Sequence, residues 1–222
     1  MTKQLPKELI ASVLRSPEAP TILKELQEVL EKEQERRRAF YNTIPTEENK
    51  TEFINGEVII QSPVKRDHNI YSGLLYQLIN VYVNKNDLGL VGIEKIMVSL
   101  TRNDYEPDIC FFIKEKAQNF ESQQSLFPAP DFVVEIISKK TADRDRGIKY
   151  TDYQNHGVEE YWIIHPEEKT VEQYLLQEGQ YQLQLKSNNG EIASQAIKGF
   201  KIPILAIFDT KVNLEVMAAL LK

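Results

Sequence analysis

Residues 131–161 read DFVVEIISKKTADRDRGIKYTDYQNHGVEEY, a strand, a basic turn and a helix in succession. From Phe132 to Ile137 apolar residues occupy consecutive rather than alternate positions, the pattern of a strand covered on both faces. Glu135 interrupts that run. An ionised carboxylate there is costly unless it is paired or holds a metal, so it marks a site. Period-two geometry puts Glu135 on one face with Val133 and Ile137, and Val134, Ile136 and Ser138 on the other. Beyond the turn the period changes. Asp145, Lys149 and Tyr153 fall at i, i+4 and i+8 on one face of a helix spanning Asp143 to Asn155, with Ile148 and Tyr150 as packing residues and Gly157 as its stop. Val158 to His165 is the next strand.

Upstream, residues 1–40 predict two helices. One spans Pro6 to Leu14; the other opens after Pro20 with Thr21 as N-cap and carries Ile22, Leu23, Leu26, Val29 and Leu30 at helical spacing. The run EKEQERRR from Glu31 to Arg38 is charged all round and reads as a solvated helical end. Apolar periodicity stops between Pro45 and Lys50, which divides the chain into a helical extension, residues 1–45, for docking or oligomerisation, and a main domain, residues 46–222. Asn55-Gly56 predicts a hairpin within Glu52 to Ile60. A helix opens at His68, capped by Ser62 or Asp67, with Ile70, Tyr71, Leu74, Leu75, Leu78 and Ile79 inward. Gly89 to Leu100 supplies one or two strands, Asp104 to Ile113 a loop and a strand with Asp108 at its mouth, and residues 114–130 a surface loop. Thr170 to Leu176 and Gln180 to Leu185 form a second hairpin around Glu178-Gly179, and residues 196–208 a last apolar stretch. The order predicts an α/β (α+β) fold, a mixed sheet flanked by helices, without the regular repeat of a doubly wound fold.

The chain has 222 residues, net charge -6 and a single cysteine. The acidic balance argues against a whole-surface nucleic-acid binder and leaves room for a local basic patch. Cys110 excludes an intramolecular disulfide and a cysteine-cluster zinc site, and its apolar neighbours make it a buried, inert thiol. No run of apolar residues is long enough for a membrane span, and the N-terminus lacks a signal-peptide pattern, so the expected location is cytoplasmic.

Asp108 and Glu135 each sit on or beside an apolar strand. Neighbouring strands lie about 4.8 Å apart, so the two carboxylates can share one hard divalent cation, Mg²⁺ or Mn²⁺, with the Ile137 carbonyl as a further ligand. The bland alternative has Asp108 capping a loop and Glu135 in a buried ion pair with a helix lysine, and spacing alone leaves both open. Lys139, Lys140, Arg144, Arg146 and Lys149 can hold phosphates or be solvated; Lys149 has the sharper role, orienting water or neutralising a developing phosphoryl charge. His68, with Glu57, can act as a general base or be a capping residue. Trp162 is core.

The segments EPDICFFI, DFVVEIIS and DRGIKYTDYQNHGVEEYWIIHP, in this order and with Gly56-Glu57 and His68 upstream, resemble the Uma-two family of bacterial endonucleases in the PD-(D/E)XK, restriction-endonuclease-like superfamily. The resemblance covers roughly residues 46 to 210. It implies a restriction-endonuclease-like fold and a metal-dependent phosphodiesterase centre, with Asp108 and Glu135 as metal-binding acids. One departure stands out: Ile137 occupies the position two after the glutamate where the superfamily has lysine. The resemblance makes Lys149 the relocated lysine, with Asp145 four residues before it and Lys139 as competitor. The expected function is a Mg²⁺- or Mn²⁺-dependent endonuclease acting on DNA, with catalytic residues Asp108, Glu135, Lys149, Glu57 and His68 and metal ligands Asp108, Glu135 and Ile137. The alternative is a catalytically inactive nuclease-fold module. A homodimer through the N-terminal helices is the expected self-association.

Overall fold

Two helices open the computed structural model, which describes residues 7–43 and 49–222. α1 (Lys7–Arg15) ends at a turn in which the Ser16 hydroxyl accepts the Glu18 N–H at 3.1 Å. α2 (Ala19–Thr43) starts two residues before the expected cap at Thr21, because Pro20 in a first turn gives up an N–H that has no helical partner anyway. The expected helix start at Pro6 and the division at residue 45 lie outside the described residues.

The charged run is exposed at six of its eight positions, as expected, but Glu33 and Arg37 dock on the domain. Glu33 is buried and accepts two hydrogen bonds from Arg102, both 2.8 Å. Arg37 meets Asp104 at 2.7 Å through two nitrogens and also donates to the Leu100 carbonyl at 2.6 Å. Phe40 stacks on Phe53, centroids 5.7 Å apart. Counter-charges delivered by a distant loop turn a polar helix face into a docking face, and a local charge pattern carries no sign of that.

β1 (Thr51–Ile54) and β2 (Glu57–Ile60) form the predicted hairpin, with Asn55 at φ 51° and Gly56 at φ 84°. Both lie in the left-handed region that a type I′ turn requires, and at Gly56 a Cβ would also press on the Arg36 and Glu33 side chains. α3 (Arg66–Lys85) begins before His68. Neither Ser62 nor Asp67 caps it: Lys65 holds the N-cap position without a side-chain bond, and Asp67 lies in the first turn, where its charge suits the helix dipole. Then come β3 (Gly89–Ile93), β4 (Met97–Ser99), β5 (Asp104–Tyr105), β6 (Ile109–Ile113), α4 (Lys114–Ala117) and β7 (Leu126–Phe127). The segment expected as surface loop is partly core, because Phe120 and Phe127 pack edge-on to each other and against Phe112.

β8 (Phe132–Ile136) leads through α5 (Ala142–Arg144), a π-helical turn (Asp145–Lys149) and α6 (Tyr150–Asn155) to β9 (Glu160–His165). β10 (Thr170–Gln177) and β11 (Gln180–Ser187) form the second hairpin. β12 (Glu191–Ala193), β13 (Lys201–Pro203), a 3₁₀ turn (Ile204–Ile207) and α7 (Thr210–Leu220) complete the chain; α7 has no counterpart in the sequence reading.

The main sheet has the order β11-β10-β9-β8-β6-β3, with β8 and β9 parallel and the other pairs antiparallel. A second sheet runs β2-β1-β5-β4-β7. β8 is buried along its whole length on both faces, as its unbroken apolar run requires. Phe132, Val134 and Ile136 face a core with α3 and the 192–208 segment, while Val133 faces a second core with Tyr105, Tyr153 and Tyr161. Cys110 is buried there, and burial pushes its thiol up to about 12, which leaves it unreactive.

Glu160 shows how this fold keeps an acid buried without a cation. Trp162 Nε1 and Gln173 Nε2 donate to one oxygen at 2.6 and 2.7 Å, and the Ser194 hydroxyl and the N–H groups of Gln195 and Ala196 donate to the other at 2.6–2.9 Å. Neutral donors saturate this carboxylate, so it ties the 194–196 loop to the sheet.

Candidate functional site

The antiparallel register of β6 and β8 pairs Ile109 with Val134 and Cys110 with Val133. One step further, Asp108 stands opposite Glu135, and both share the face of Cys110 and Val133, toward the second core. Asp108 Oδ2 accepts the Ile136 N–H at 2.7 Å, which locks this carboxyl to the neighbouring strand. Its Oδ1 lies 2.6 Å from Lys50 Nζ and 3.3 Å from His68 Nε2. His68 Nε2 makes no well-aligned hydrogen bond, and neither does the buried Ser72 hydroxyl one helical turn further along α3.

Lys149 returns over the strand to meet Glu135. Its ammonium is 3.0 Å from Glu135 Oε1, 2.6 Å from Glu52 Oε1 and 3.5 Å from Asp145 Oδ1, and the residue is 1% exposed. The π-helical turn widens the helix where Asp145 and Lys149 both point inward, a distortion that recurs at functional sites. Tyr153 donates its hydroxyl to Glu135 Oε1 at 3.0 Å, and the Tyr105 ring lies 5.6 Å from the Lys149 ammonium. Glu52, fully buried on β1, also accepts from Arg144 at 3.1 Å and from the Glu106 N–H at 3.3 Å.

Burial favours the neutral form of Lys149, yet Glu135, Glu52 and Asp145 overcome it and hold the ammonium charged well above the lysine range. Burial pushes the Glu135 carboxyl up, to about 8; Lys149 opposes the rise while Asp145 and Asp108 add to it. At Asp108 burial acts in the same upward direction, but Lys50 and His68 outweigh it and hold this carboxyl well below the usual range.

The structure thus brings together Asp108, Glu135, Lys149, Asp145 and His68 of the residues singled out in the sequence. The side chain of Ile137 packs in the second core and its N–H bonds the Ile164 carbonyl at 2.9 Å. Glu57 stays out: it is exposed on β2, opposite Ile54. Glu52 and Lys50 are the members that the sequence reading missed. Glu52 stands second in a short strand, where a carboxylate reads as ordinary strand entry.

Of the basic cluster, Arg144 joins the site, Lys139 stays exposed, and Arg146 is withdrawn. Arg146 pairs with Glu172, which also takes Lys186 at 2.9 Å and the Tyr174 hydroxyl at 2.8 Å. Burial works against the Glu172 charge, but these three donors hold its carboxyl down at about 2. A folded pKa below the unfolded value of about 4.3 stabilises the fold fully above that pH, and the contribution is lost as pH falls toward 2. Urea midpoints measured from pH 5 to pH 2 are therefore expected to fall more steeply for the wild type than for Glu172→Gln.

The donor chemistry fits a hard cation. Asp108 and Glu135 offer carboxylate oxygens from facing strands, and both already attract positive charge, at 2.6 and 3.0 Å. Among the described residues no three His, Cys, Asp or Glu side chains converge as a ready-made cage. Mg²⁺ is commonly held by one or two carboxylates and keeps several waters, so two facing acids suffice.

The Uma2 family model, described as "Putative restriction endonuclease", matches residues 38–205. That span covers every site residue above and starts within α2, at the part that docks on the domain. No curated protein matches the chain. A crystal structure from Anabaena variabilis, described as "a putative nuclease belonging to DUF820", shares the fold with a TM-score of 0.62 and 20% identity, over 71% of this chain and 89% of the other. The buried acids, the lysine that meets them from the π-helical turn and the strand order around them are thus features of a chain that belongs to the Uma2 family, the restriction-endonuclease-like group described by that model.

Proposed function

We propose that this protein is a divalent-metal-dependent endonuclease that hydrolyses phosphodiester bonds in DNA. The observation that carries the reading is the cross-strand placement of Asp108 and Glu135 on one buried face, with Lys149 at 3.0 Å from Glu135. Asp108, Glu135 and the Ile137 carbonyl would hold Mg²⁺ or Mn²⁺. Such an ion, when bound, polarises a phosphoryl oxygen and acidifies a coordinated water. Lys149 remains charged and is aimed at carboxylates, so its part is to fix Glu135 and to supply positive potential rather than to take a proton. His68, at 3.3 Å from Asp108, would accept the proton of the attacking water; Glu57, exposed on β2, takes no part in this reading.

A local basic rim supports nucleic acid as substrate in an otherwise acidic chain. Lys65, just before α3, and Lys139, just after β8, both approach Glu167, at 3.5 and 3.9 Å, so the segments leading to His68 and from Glu135 border one surface. Their side chains are about four-fifths exposed, so a phosphate can reach them in competition with Glu167. No helix among the described residues is long and apolar enough to cross a membrane. Incubation of supercoiled plasmid and single-stranded DNA with Mg²⁺ or Mn²⁺ tests the proposal: cleavage that EDTA abolishes is expected, and intact DNA with both ions would overturn it. The burial of Lys149 among three carboxylates favours a second reading, a non-catalytic module in which the cluster is structural; that reading expects no metal uptake.

Lys50 gives a separate prediction. Its ammonium occupies the oxygen of Asp108 that a cation needs, and like charges at such range oppose each other by a kcal/mol or more. Lys50→Met is expected to tighten Mn²⁺ binding about tenfold by calorimetry. Unchanged or weaker affinity would show that Lys50 does not compete.

A further inference from the structure

On the metal-dependent nuclease reading above, we infer that Lys50 is a second, substrate-facing lysine of this site. It gives up Asp108 to the cation and turns its ammonium to a non-bridging oxygen of the DNA phosphate to be cut.

Access separates the two lysines. The Lys149 side chain is 2% exposed and its ammonium is held by Glu52, Glu135 and Asp145, acids that are themselves 0–4% exposed. Lys50 and His68, the two groups on Asp108 Oδ1, are 15% and 13% exposed. Arg144 is more open, but it bonds Glu52 rather than Asp108. A phosphate therefore reaches Asp108 past Lys50 and His68. The exposed Lys65 lies three residues before His68, so one end of α3 borders both the basic rim and Asp108.

Lys50 can move without its backbone. Its carbonyl accepts the Gln61 N–H at 2.8 Å, and the next residue, Thr51, opens β1 and donates its N–H to Glu106 Oε2 at 2.7 Å. The main chain is thus held on the hairpin while the four-carbon stem can change rotamer. Its ammonium lies 2.6 Å from Asp108 Oδ1, and the other oxygen is taken by the Ile136 N–H. With a divalent cation on Oδ1, two like charges would stand within a few ångströms in a poorly hydrated site, and repulsion turns Lys50 out. Two acceptors compete for it. Glu106 is buried and already bonded to Thr51, whereas the phosphodiester is a full anion that comes to the cation itself. Negative charge grows on its oxygens as water attacks, so an ammonium there stabilises the transition state more than the ground state.

Lys50→Met tests this role, because its effects on the ion and on the reaction have opposite signs. Mn²⁺ should bind the variant about tenfold more tightly by calorimetry. Plasmid cleavage at saturating Mn²⁺ should nevertheless slow by roughly 10²–10³-fold, the usual cost of losing one donor to a developing oxyanion. Independently of turnover, fluorescence anisotropy of a labelled duplex reads the contact with Ca²⁺, which takes the same carboxylate oxygens. Ca²⁺ should tighten duplex binding about tenfold more for the wild type than for the variant, with equal affinities in EDTA. Lys50→Gln, which keeps a donor for Asp108, carries the same expectations if near-UV circular dichroism shows Lys50→Met unfolded. A variant that cleaves as fast as the wild type, or gains as much affinity from Ca²⁺, would put the displaced Lys50 on Glu106 or in solvent. That result would overturn the inference and leave the metal site standing. No Mn²⁺ uptake, or no cleavage by the wild type, would overturn both.

Discussion

Lys149→Met is expected to destabilise the fold by about 3–5 kcal/mol, the cost of leaving buried carboxylates without their cation. Its ammonium is the shared partner of Glu52, Glu135 and Asp145, and the methionine stem fills the same volume without the charge. The three acids would then be left buried together beside Tyr105 and Tyr153, with Arg144 as the remaining cation on Glu52, which also keeps the Glu106 N–H. Urea denaturation measures the loss. The double variant Glu135→Gln, Lys149→Met should recover part of it, since residues of one charge network couple by roughly 0.5–3 kcal/mol. A single variant within about 0.5 kcal/mol of wild type, the behaviour of a surface lysine, would contradict the buried cluster.

Glu135→Gln has the opposite profile: small in stability and large in activity. The amide keeps the shape of the side chain and an oxygen for the Tyr153 hydroxyl, now at 3.0 Å, while Lys149 retains Glu52 and Asp145. The apo protein should therefore change by no more than about 1 kcal/mol, the net worth of an ordinary hydrogen bond. A site that loses one of two carboxylates loses much of its hold on the cation, and several kcal/mol of transition-state stabilisation corresponds to roughly a 10³-fold slower reaction. Initial rates of plasmid nicking at fixed Mg²⁺ provide the readout. Large destabilisation of the apo variant, with no cleavage by the wild type to lose, is the outcome expected of a purely structural ion pair.

Glu135 and Lys149 were legible in the sequence because each breaks a local rule, a carboxylate inside a doubly covered strand and a lysine on the same helical face as Asp145 and Tyr153. The hairpins were legible because Asn55-Gly56 and Glu178-Gly179 supply positive-φ turns. Glu52 was hidden: it stands second in a four-residue strand, where a polar residue looks like ordinary strand entry, and only pairing with a partner from residue 149 reveals its burial. Lys50 was hidden for the same reason. The docking of Glu33 and Arg37 depends on Arg102 and Asp104, more than sixty residues away, so EKEQERRR looks solvated to any local reading. The π-helical turn leaves the helical period nearly intact over five residues and gave no signal. α7 packs Val212, Val216, Met217 and Leu220 on the core at helical spacing, a signal that lay beyond the last apolar stretch read from the sequence.

Asp108 and Glu135 stand or fall together as a cation site. Calorimetric titration of Mn²⁺ into the wild type, Asp108→Asn and Glu135→Gln tests it most directly. About one ion per chain is expected with the wild type and loss of binding in both variants, since two facing carboxylates would carry the site. No heat of binding at millimolar Mn²⁺, or equal binding by all three proteins, would contradict it.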